Sequence, residues 1–340
     1  MPKINKLAII CNVQISGEKG GAEIFYVKLL ECFKKYVPIV DLIEVPCSEN
    51  TFEDILRGYL SCYDLDLSGY DGVISSKAPT FGVRHSNHVC YLMHTIRVFY
   101  DMFDEIKQDK SNYDRRKLIY RMDKEFLTFP MTKKLFSIGH EVSNRLEKYI
   151  GIKSEPLHPG ITSEGFYCEN YDYIFMPGRL HKWKRVDLVI EAMKYVQSPI
   201  KLKIAGTGEY MNFLKEMAKD DSRIEFLGFV DDQYMRKLYA NSLMVTFTPI
   251  NEDYGYILHE AFKSYKPVIT CNDSGEPTQF IKHGYNGYIA TPSPKDIAKY
   301  IDLLYCNKED AKIMGENGYL TIEKINWDSV VLTLLKALEE

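Results

Sequence analysis

Lys6-Leu7-Ala8-Ile9-Ile10-Cys11 is followed by the loop Ser16-Gly17-Glu18-Lys19-Gly20-Gly21-Ala22, and then by a run from Glu23 to Lys35 with Ile24, Val27, Leu30 and Phe33 at helical spacing. The order is buried strand, glycine loop, helix. That order is the opening unit of a doubly wound α/β domain. Working outward, further strands are predicted at Ile39 to Val45, Gly72 to Ser75, His88 to Leu92 and Lys134 to Ile138, with helices at Thr51 to Leu60 and about Tyr113 to Phe126.

The alternation restarts at Tyr173. Strands are predicted at Tyr173 to Met176, Ile200 to Ala205, Arg223 to Leu227, Met244 to Thr248 and Pro267 to Thr270, with Ile289-Ala290 closing the sheet. Helices are predicted at Val186 to Tyr195, from Tyr210, at Gly255 to Ser264 and at Pro294 to Tyr305. A boundary falls near His158-Pro159-Gly160, with Thr162 to Tyr171 as a polar connection. The expectation is an α/β chain of two Rossmann-like domains, 1–160 and 161–320, each with a parallel sheet made by right-handed crossovers. Ligands of such sheets bind at the carboxyl ends of the strands, so the expected site is a cleft faced by both domains.

Composition narrows the function classes. The chain has 340 residues, enough for two cores, and a formal net charge of −4. That charge argues against a nucleic-acid partner, which calls for a basic excess. Eight cysteines are scattered with no Cys-x-x-Cys, which disfavours a zinc knuckle or redox motif and fits a reducing, cytoplasmic setting. Leu7 to Ile10 is too short for a signal segment, and no stretch reaches about 18 apolar residues. Membrane association is therefore expected to be peripheral.

Two segments carry candidate chemistry. In Glu252-Asp253-Tyr254-Gly255-Tyr256-Ile257-Leu258-His259-Glu260, two acids bracket seven residues at a predicted helix start. At such a helix start, around Tyr254, Gly255 and Tyr256, backbone N–H groups are expected to be available to an anion, which the helix dipole favours. A carboxylate can accept two hydrogen bonds from a sugar diol. The plain alternative is a helix start rich in acids. In Pro177-Gly178-Arg179-Leu180-His181-Lys182-Trp183-Lys184-Arg185-Val186-Asp187, cations fill the turn between strand and helix, where phosphates bind. Arg179 offers a bidentate fork and Lys184 a mobile point charge; the plain alternative is a solvated basic loop.

Together these segments resemble the family 4 glycosyltransferases, retaining enzymes with the two-domain GT-B fold. The acid pair is similar to that family's Glu-x7-Glu signature, and Gly178-Arg179-Leu180 with Lys184-Arg185-Val186-Asp187-Leu188 to its diphosphate loop. Ala205-Gly206-Thr207-Gly208, Phe247-Thr248-Pro249, Lys266-Pro267-Val268-Ile269, Gly275, Pro277 and His283-Gly284-Tyr285-Asn286-Gly287-Tyr288 continue the match, strongest over about 172–292. In the N-terminal half, Gly20-Gly21-Ala22-Glu23 resembles the family's glycine loop. Tyr91 to Asp101 resembles a His-centred segment of a subgroup with several mannosyltransferases. Asn326-Trp327-Asp328 resembles the start of a tail, here 321–340, that crosses back to the first domain. Glu276 and Gln279 depart from the pattern, standing where the family often has glycine and glutamate.

The resemblance implies transfer of a hexose, mannose favoured, from a GDP or UDP sugar to a glycan or lipid-linked acceptor, with no cofactor or metal. It implies that Glu260 binds the ribose diol and Glu252 the sugar hydroxyls, and that Arg179 and Lys184 neutralise the diphosphate. His94 would contact the sugar. Gly20, Gly21, Gly206, Tyr254, Gly255, Tyr256 and Arg97 would complete substrate binding.

Other readings stay open: a nucleotide-sugar epimerase or phosphorylase on the same architecture, or a non-catalytic sugar-nucleotide subunit. A nicotinamide oxidoreductase is disfavoured, because Gly17, Gly20 and Gly21 do not form Gly-x-Gly-x-x-Gly. Asp64-Leu65-Asp66 is a two-residue match to a metal motif without further ligands. Arg115, Arg116, Lys117, Arg121 and Lys124, interleaved with Leu118, Ile119 and Met122, make either a solvated helix face or a weak peripheral contact with anionic lipid.

Overall fold

The computed structural model describes residues 4–14, 21–161 and 163–340, with the backbone alone for residues 14 and 21–23. The chain divides into two compact units, Met1–Thr162 with Ile325–Glu340, and Ser163–Lys324.

The first unit runs β1 (Lys6–Gln14), α1 (Gly21–Phe33), β2 (Ile39–Cys47), α2 (Phe52–Tyr63), β3 (Gly72–Lys77), β4 (His88–His94), α3 (Lys110–Phe126), β5 (Lys134–Ser137), α4 (His140–Ile150) and β6 (Glu155–Pro156). Its sheet is parallel, in the order β2-β1-β3-β4-β5-β6. Strand β3 is buried at every residue, as a parallel strand covered on both faces must be. The core face of α1 differs from the expected one. Ile24 and Val27 are about half exposed, while Phe25, Leu29, Cys32 and Phe33 are buried. The aromatics decide this rotation: the Phe25 ring lies 5.5 Å from Tyr91 and 5.2 Å from Trp327.

The second unit runs β7 (Tyr173–Pro177), α5 (Val186–Met193), β8 (Lys201–Ala205), α6 (Met211–Ala218), β9 (Ile224–Gly228), α7 (Asp232–Asn241), β10 (Ser242–Thr246), α8 (Tyr256–Lys263), β11 (Val268–Cys271), α9 (Pro277–Phe280), β12 (Gly287–Ala290), α10 (Pro294–Cys306) and α11 (Lys308–Ile322). Its parallel sheet has the order β12-β11-β10-β7-β8-β9. From β7 the chain builds outward to β8 and β9, then returns to add β10, β11 and β12 on the other side. The switch point therefore lies between β7 and β10, where such sheets leave a crevice at their carboxyl ends.

Helix α12 (Trp327–Glu339) belongs to the first unit. Asn326 caps it by accepting from the Ser329 N–H at 2.8 Å. Asp328 accepts from Lys35 Nζ at 3.0 Å, Tyr36 Oη at 2.9 Å and Cys32 Sγ at 3.2 Å, which ties the helix to the end of α1.

Helices α4, α7, α9 and α11 carry no expectation from the sequence. In α11, Gly315 and Gly318 weaken the helical signal. Packing explains Gly315: a Cβ there would stand 1.9 Å from the Tyr265 carbonyl oxygen.

Candidate functional site

The loop after β7 is held by the loop after β8. Gly178 N–H donates to Ala205 O at 2.9 Å, Leu180 N–H to Thr207 O at 2.9 Å, and Tyr210 N–H to Leu180 O at 3.1 Å. The approach is so close that a Cβ on Gly206, whose φ is 134°, would meet Gly178 O at 1.9 Å. Gly206 is thus placed to seat the Arg179 loop. Arg179 projects from it, exposed, with no side-chain hydrogen bond or ion pair among the described residues.

Lys184, Arg185 and His181 of this loop do have partners, all distant in sequence, while Lys182 lies over the ring of its neighbour Trp183. Lys184 Nζ lies 2.6 Å from Glu252 Oε2. Arg185 bonds Asp273 at 2.8 and 2.6 Å and donates to Thr248 O at 2.7 Å and Pro249 O at 2.8 Å. His181 Nε2 lies 3.0 Å from Glu209, and burial holds its imidazole pKa below the ordinary value. Arg185 is therefore a scaffold residue that clamps the β10 loop to the β7 loop. Its φ of +50° is rare for a side chain of that size. Ile250 N–H donates to Trp183 O at 2.9 Å across the same seam. The seam is the β7/β10 switch point, so the fold itself brings Lys184 and Glu252 together.

Glu252 is fixed through its backbone. Its N–H donates to Ser274 O at 3.0 Å and its carbonyl accepts from Glu276 N–H at 2.9 Å. Gly275, with φ 74°, faces it so closely that a Cβ would stand 2.6 Å from Glu252 N. Gly255 initiates α8 at φ 90°, and no side chain among the described residues caps that helix start. Tyr254 is buried, stacked on His259 at 4.4 Å between ring centroids. Tyr256, the first residue of α8, shares a helix face with Glu260 at i+4, and its buried hydroxyl has no partner among the described residues.

Glu260 accepts a hydrogen bond from Tyr239 Oη at 2.7 Å on Oε2, and Oε1 has no partner among the described residues. Burial pushes its carboxyl up to about 7, against the Tyr239 bond, which lowers it; Asp232 adds a smaller upward push. Between the ordinary 4.5 and 7 the folded chain holds more protons than the unfolded one. Stability should therefore fall as pH rises through that window. Glu260→Gln lacks this loss, so melting curves of the two proteins should diverge from about pH 4.5 to 7 and run parallel above it. Parallel curves throughout the window would contradict the assignment.

In the first unit, His94 ends β4 with Nδ1 3.0 Å from Thr95 O. Arg97 is engaged: Nη2 lies 2.5 Å from Asp101, which also pairs with the buried Arg145 at 3.0 Å. The pair fixes the segment after β4. Gly21 is the first residue of α1, and Gly20 lies outside the described residues. Asp66 accepts from Ser68 N–H at 3.1 Å and Oγ at 2.7 Å, so it serves a turn.

The basic cluster on α3 is smaller than it reads. Arg116 donates to Phe99 O at 2.9 Å and Tyr120 Oη at 2.7 Å and lies 4.2 Å from the Phe103 ring centroid. Arg115 is partly buried over Phe52. Lys117, Arg121 and Lys124 remain exposed, at i, i+4 and i+7 on one face.

Residues 166–321, just under half of the chain, match the family model described as Glycosyl transferases group 1. The chain is 26% identical over 211 residues to an uncharacterized glycosyltransferase of Methanocaldococcus jannaschii, covering 61% of this chain and 59% of that protein. It is 30% identical over 113 residues to the alpha-1,3/1,6-mannosyltransferase ALG2 of Dictyostelium discoideum, covering 32% of this chain and 27% of that one. The matches thus span less than two thirds of these relatives. Among solved structures it superposes on Anabaena HepE, determined in complex with UDP and glucose, with a TM-score of 0.72 at 14% identity, covering 98% and 99% of the two chains. The fold is the α/β GT-B fold of glycosyltransferases.

Proposed function

We propose that this chain is a retaining glycosyltransferase that moves a hexose from a nucleoside diphosphate sugar to a glycan or lipid-linked acceptor. One observation carries the reading: at one switch point the fold gathers a cationic loop, a glycine loop seated under it, an uncapped helix start and the acid pair Glu252/Glu260. Cations and the start of α8, which lacks a side-chain cap, suit a diphosphate. The acids suit the diols of ribose and sugar.

In the mechanism, Arg179 and Lys184 stabilise charge as the glycosidic bond breaks and the diphosphate leaves, without a divalent metal. Lys184 starts out paired with Glu252. An arriving diphosphate shares that cation and leaves the carboxylate to meet sugar hydroxyls. Acceptor binding is assigned to the first unit, with His94 contacting the sugar. Mannose is favoured by the His94 segment and by the likeness to ALG2, whose name specifies mannosyl transfer. HepE's complex with UDP keeps a uridine donor in view.

The test is product analysis with GDP, UDP and ADP sugars and both acceptor classes. Transfer with retained configuration is expected. Epimerised donor without acceptor would mark an epimerase, phosphorolysis a phosphorylase, and donor binding without turnover a binding subunit.

No described helix is long and apolar enough to cross a membrane. For a lipid-linked acceptor we assign docking to the face of Lys117, Arg121 and Lys124. Each cation near an anionic bilayer contributes roughly 1 kcal/mol, so binding should be weak and salt-sensitive. Flotation is expected with anionic liposomes and not with neutral ones, and replacing all three cations with serine should abolish it. Equal flotation of wild type and triple variant would remove this role.

A further inference from the structure

A second cluster lies away from the candidate site, where the chain enters the second unit. Lys266, just before β11, is fully buried, which is rare for a lysine without an acid partner. None of the described carboxylates is within ion-pair distance of it. Its Nζ instead donates to Asn170 O at 2.6 Å, lies 3.7 Å over the Tyr171 ring and touches Cys168 Sγ at 3.2 Å. Cys168 is exposed and free, and its thiol also lies 3.2 Å from Tyr171 Oη. Six of the other seven cysteines are buried. The pair therefore joins a sulfur that solvent oxidants can reach to an amine shielded from water. Burial lowers the Lys266 pKa, which favours the neutral, nucleophilic amine.

We propose that Cys168 and Lys266 form a reversible covalent cross-link when the protein meets a hydroperoxide. In the first step the sulfur attacks a peroxide oxygen: an S–O bond forms, the O–O bond breaks, and water leaves with the thiol proton. Sulfur is oxidised to the sulfenic acid and peroxide is reduced. In the second step the Lys266 amine attacks that sulfur: an S–N bond forms, the S–O bond breaks, and hydroxide leaves as water with the amine proton. One thiol, one amine and one hydrogen peroxide thus give one sulfenamide and two waters. Two equivalents of a thiol reductant restore both side chains and are themselves oxidised to a disulfide. The link stitches residues 98 positions apart, fastening the entry segment to the start of β11. Cross-links that close long loops restrict the unfolded chain most.

The test treats native protein with hydrogen peroxide, digests it without reductant at glutamates and analyses the peptides by mass. A linked pair carrying Cys168 and Lys266 is expected, lighter than the sum of its parts by two hydrogens. It should vanish with dithiothreitol, and be absent from Cys168→Ser and from protein oxidised in urea. Oxidised wild type should also melt at a higher temperature than reduced wild type, with no such shift in Cys168→Ser, an exposed substitution that leaves Lys266 in place. Accumulation of Cys168 as sulfenic or sulfinic acid with the Lys266 peptide unlinked would overturn the proposal. So would equal linkage in urea.

Discussion

Replacing Lys184 with alanine is expected to lower turnover at saturating donor about 10²–10³-fold, and Arg179→Ala to act in the same range. In the proposed mechanism both effects come from a charge aimed at the leaving diphosphate. The two should differ in stability. Lys184 leaves Glu252 without its 2.6 Å partner, in a half-buried setting where the pair contributes modestly. Among the described residues Arg179 has no side-chain partner to lose, so its variant should melt like wild type. Rates should persist in excess EDTA. Near-normal rates in both variants, or abolition by EDTA with rescue by Mn²⁺, would remove the diphosphate role.

Glu260→Ala is expected to weaken nucleoside diphosphate binding by about 1.5–3 kcal/mol, or roughly 10–150-fold in Kd, the size of lost charge-assisted hydrogen bonds. The pH dependence should change with it. A diol bonding the carboxylate favours its ionised form, so binding pulls down a group that stands at about 7 in the free protein. Wild-type affinity should fall as pH drops through 7 more steeply than that of Glu260→Gln. Comparing the two proteins cancels the titration of the nucleotide phosphate itself. Calorimetry that finds identical affinities and identical pH profiles would contradict the ribose assignment.

Much of this was legible because strand and loop order are local properties. Tyr173 to Met176 reads as a strand from its apolar run, and the cations after it read as a turn. The spaced acids can be seen in the sequence, but spacing alone leaves an acid-rich helix start as the plainer reading, and only the cationic loop beside them points to a diphosphate site. Partners that come from another strand's loop are not legible. Nothing adjacent in sequence ties Lys184 to Glu252, 68 positions on, or Arg185 to Asp273, 88 positions on. Arg185 reads as one more phosphate-binding cation, yet the sheet order makes it the clamp between two loops. Tyr239, which holds Glu260, lies at the end of α7, a helix the apolar pattern does not reveal. The α1 face was misread because spacing cannot weigh Ile24 and Val27 against Phe25 and Leu29. Only the position of Tyr91 and Trp327 settles which side is core. Of the five α3 cations, Arg116 was lost to a cage of aromatic rings and carbonyls brought from Phe99, Tyr100 and Phe103.

The central claim is that the β7/β10 switch point holds a nucleoside diphosphate. Calorimetric titration with UDP, GDP and ADP, on wild type and on Lys184→Ala, tests it most directly. Saturable binding of one nucleotide at a single site, weakened in the variant with its fold intact, is the predicted result. Failure of all three nucleotides to bind wild type, or equal binding by the two proteins, would contradict it.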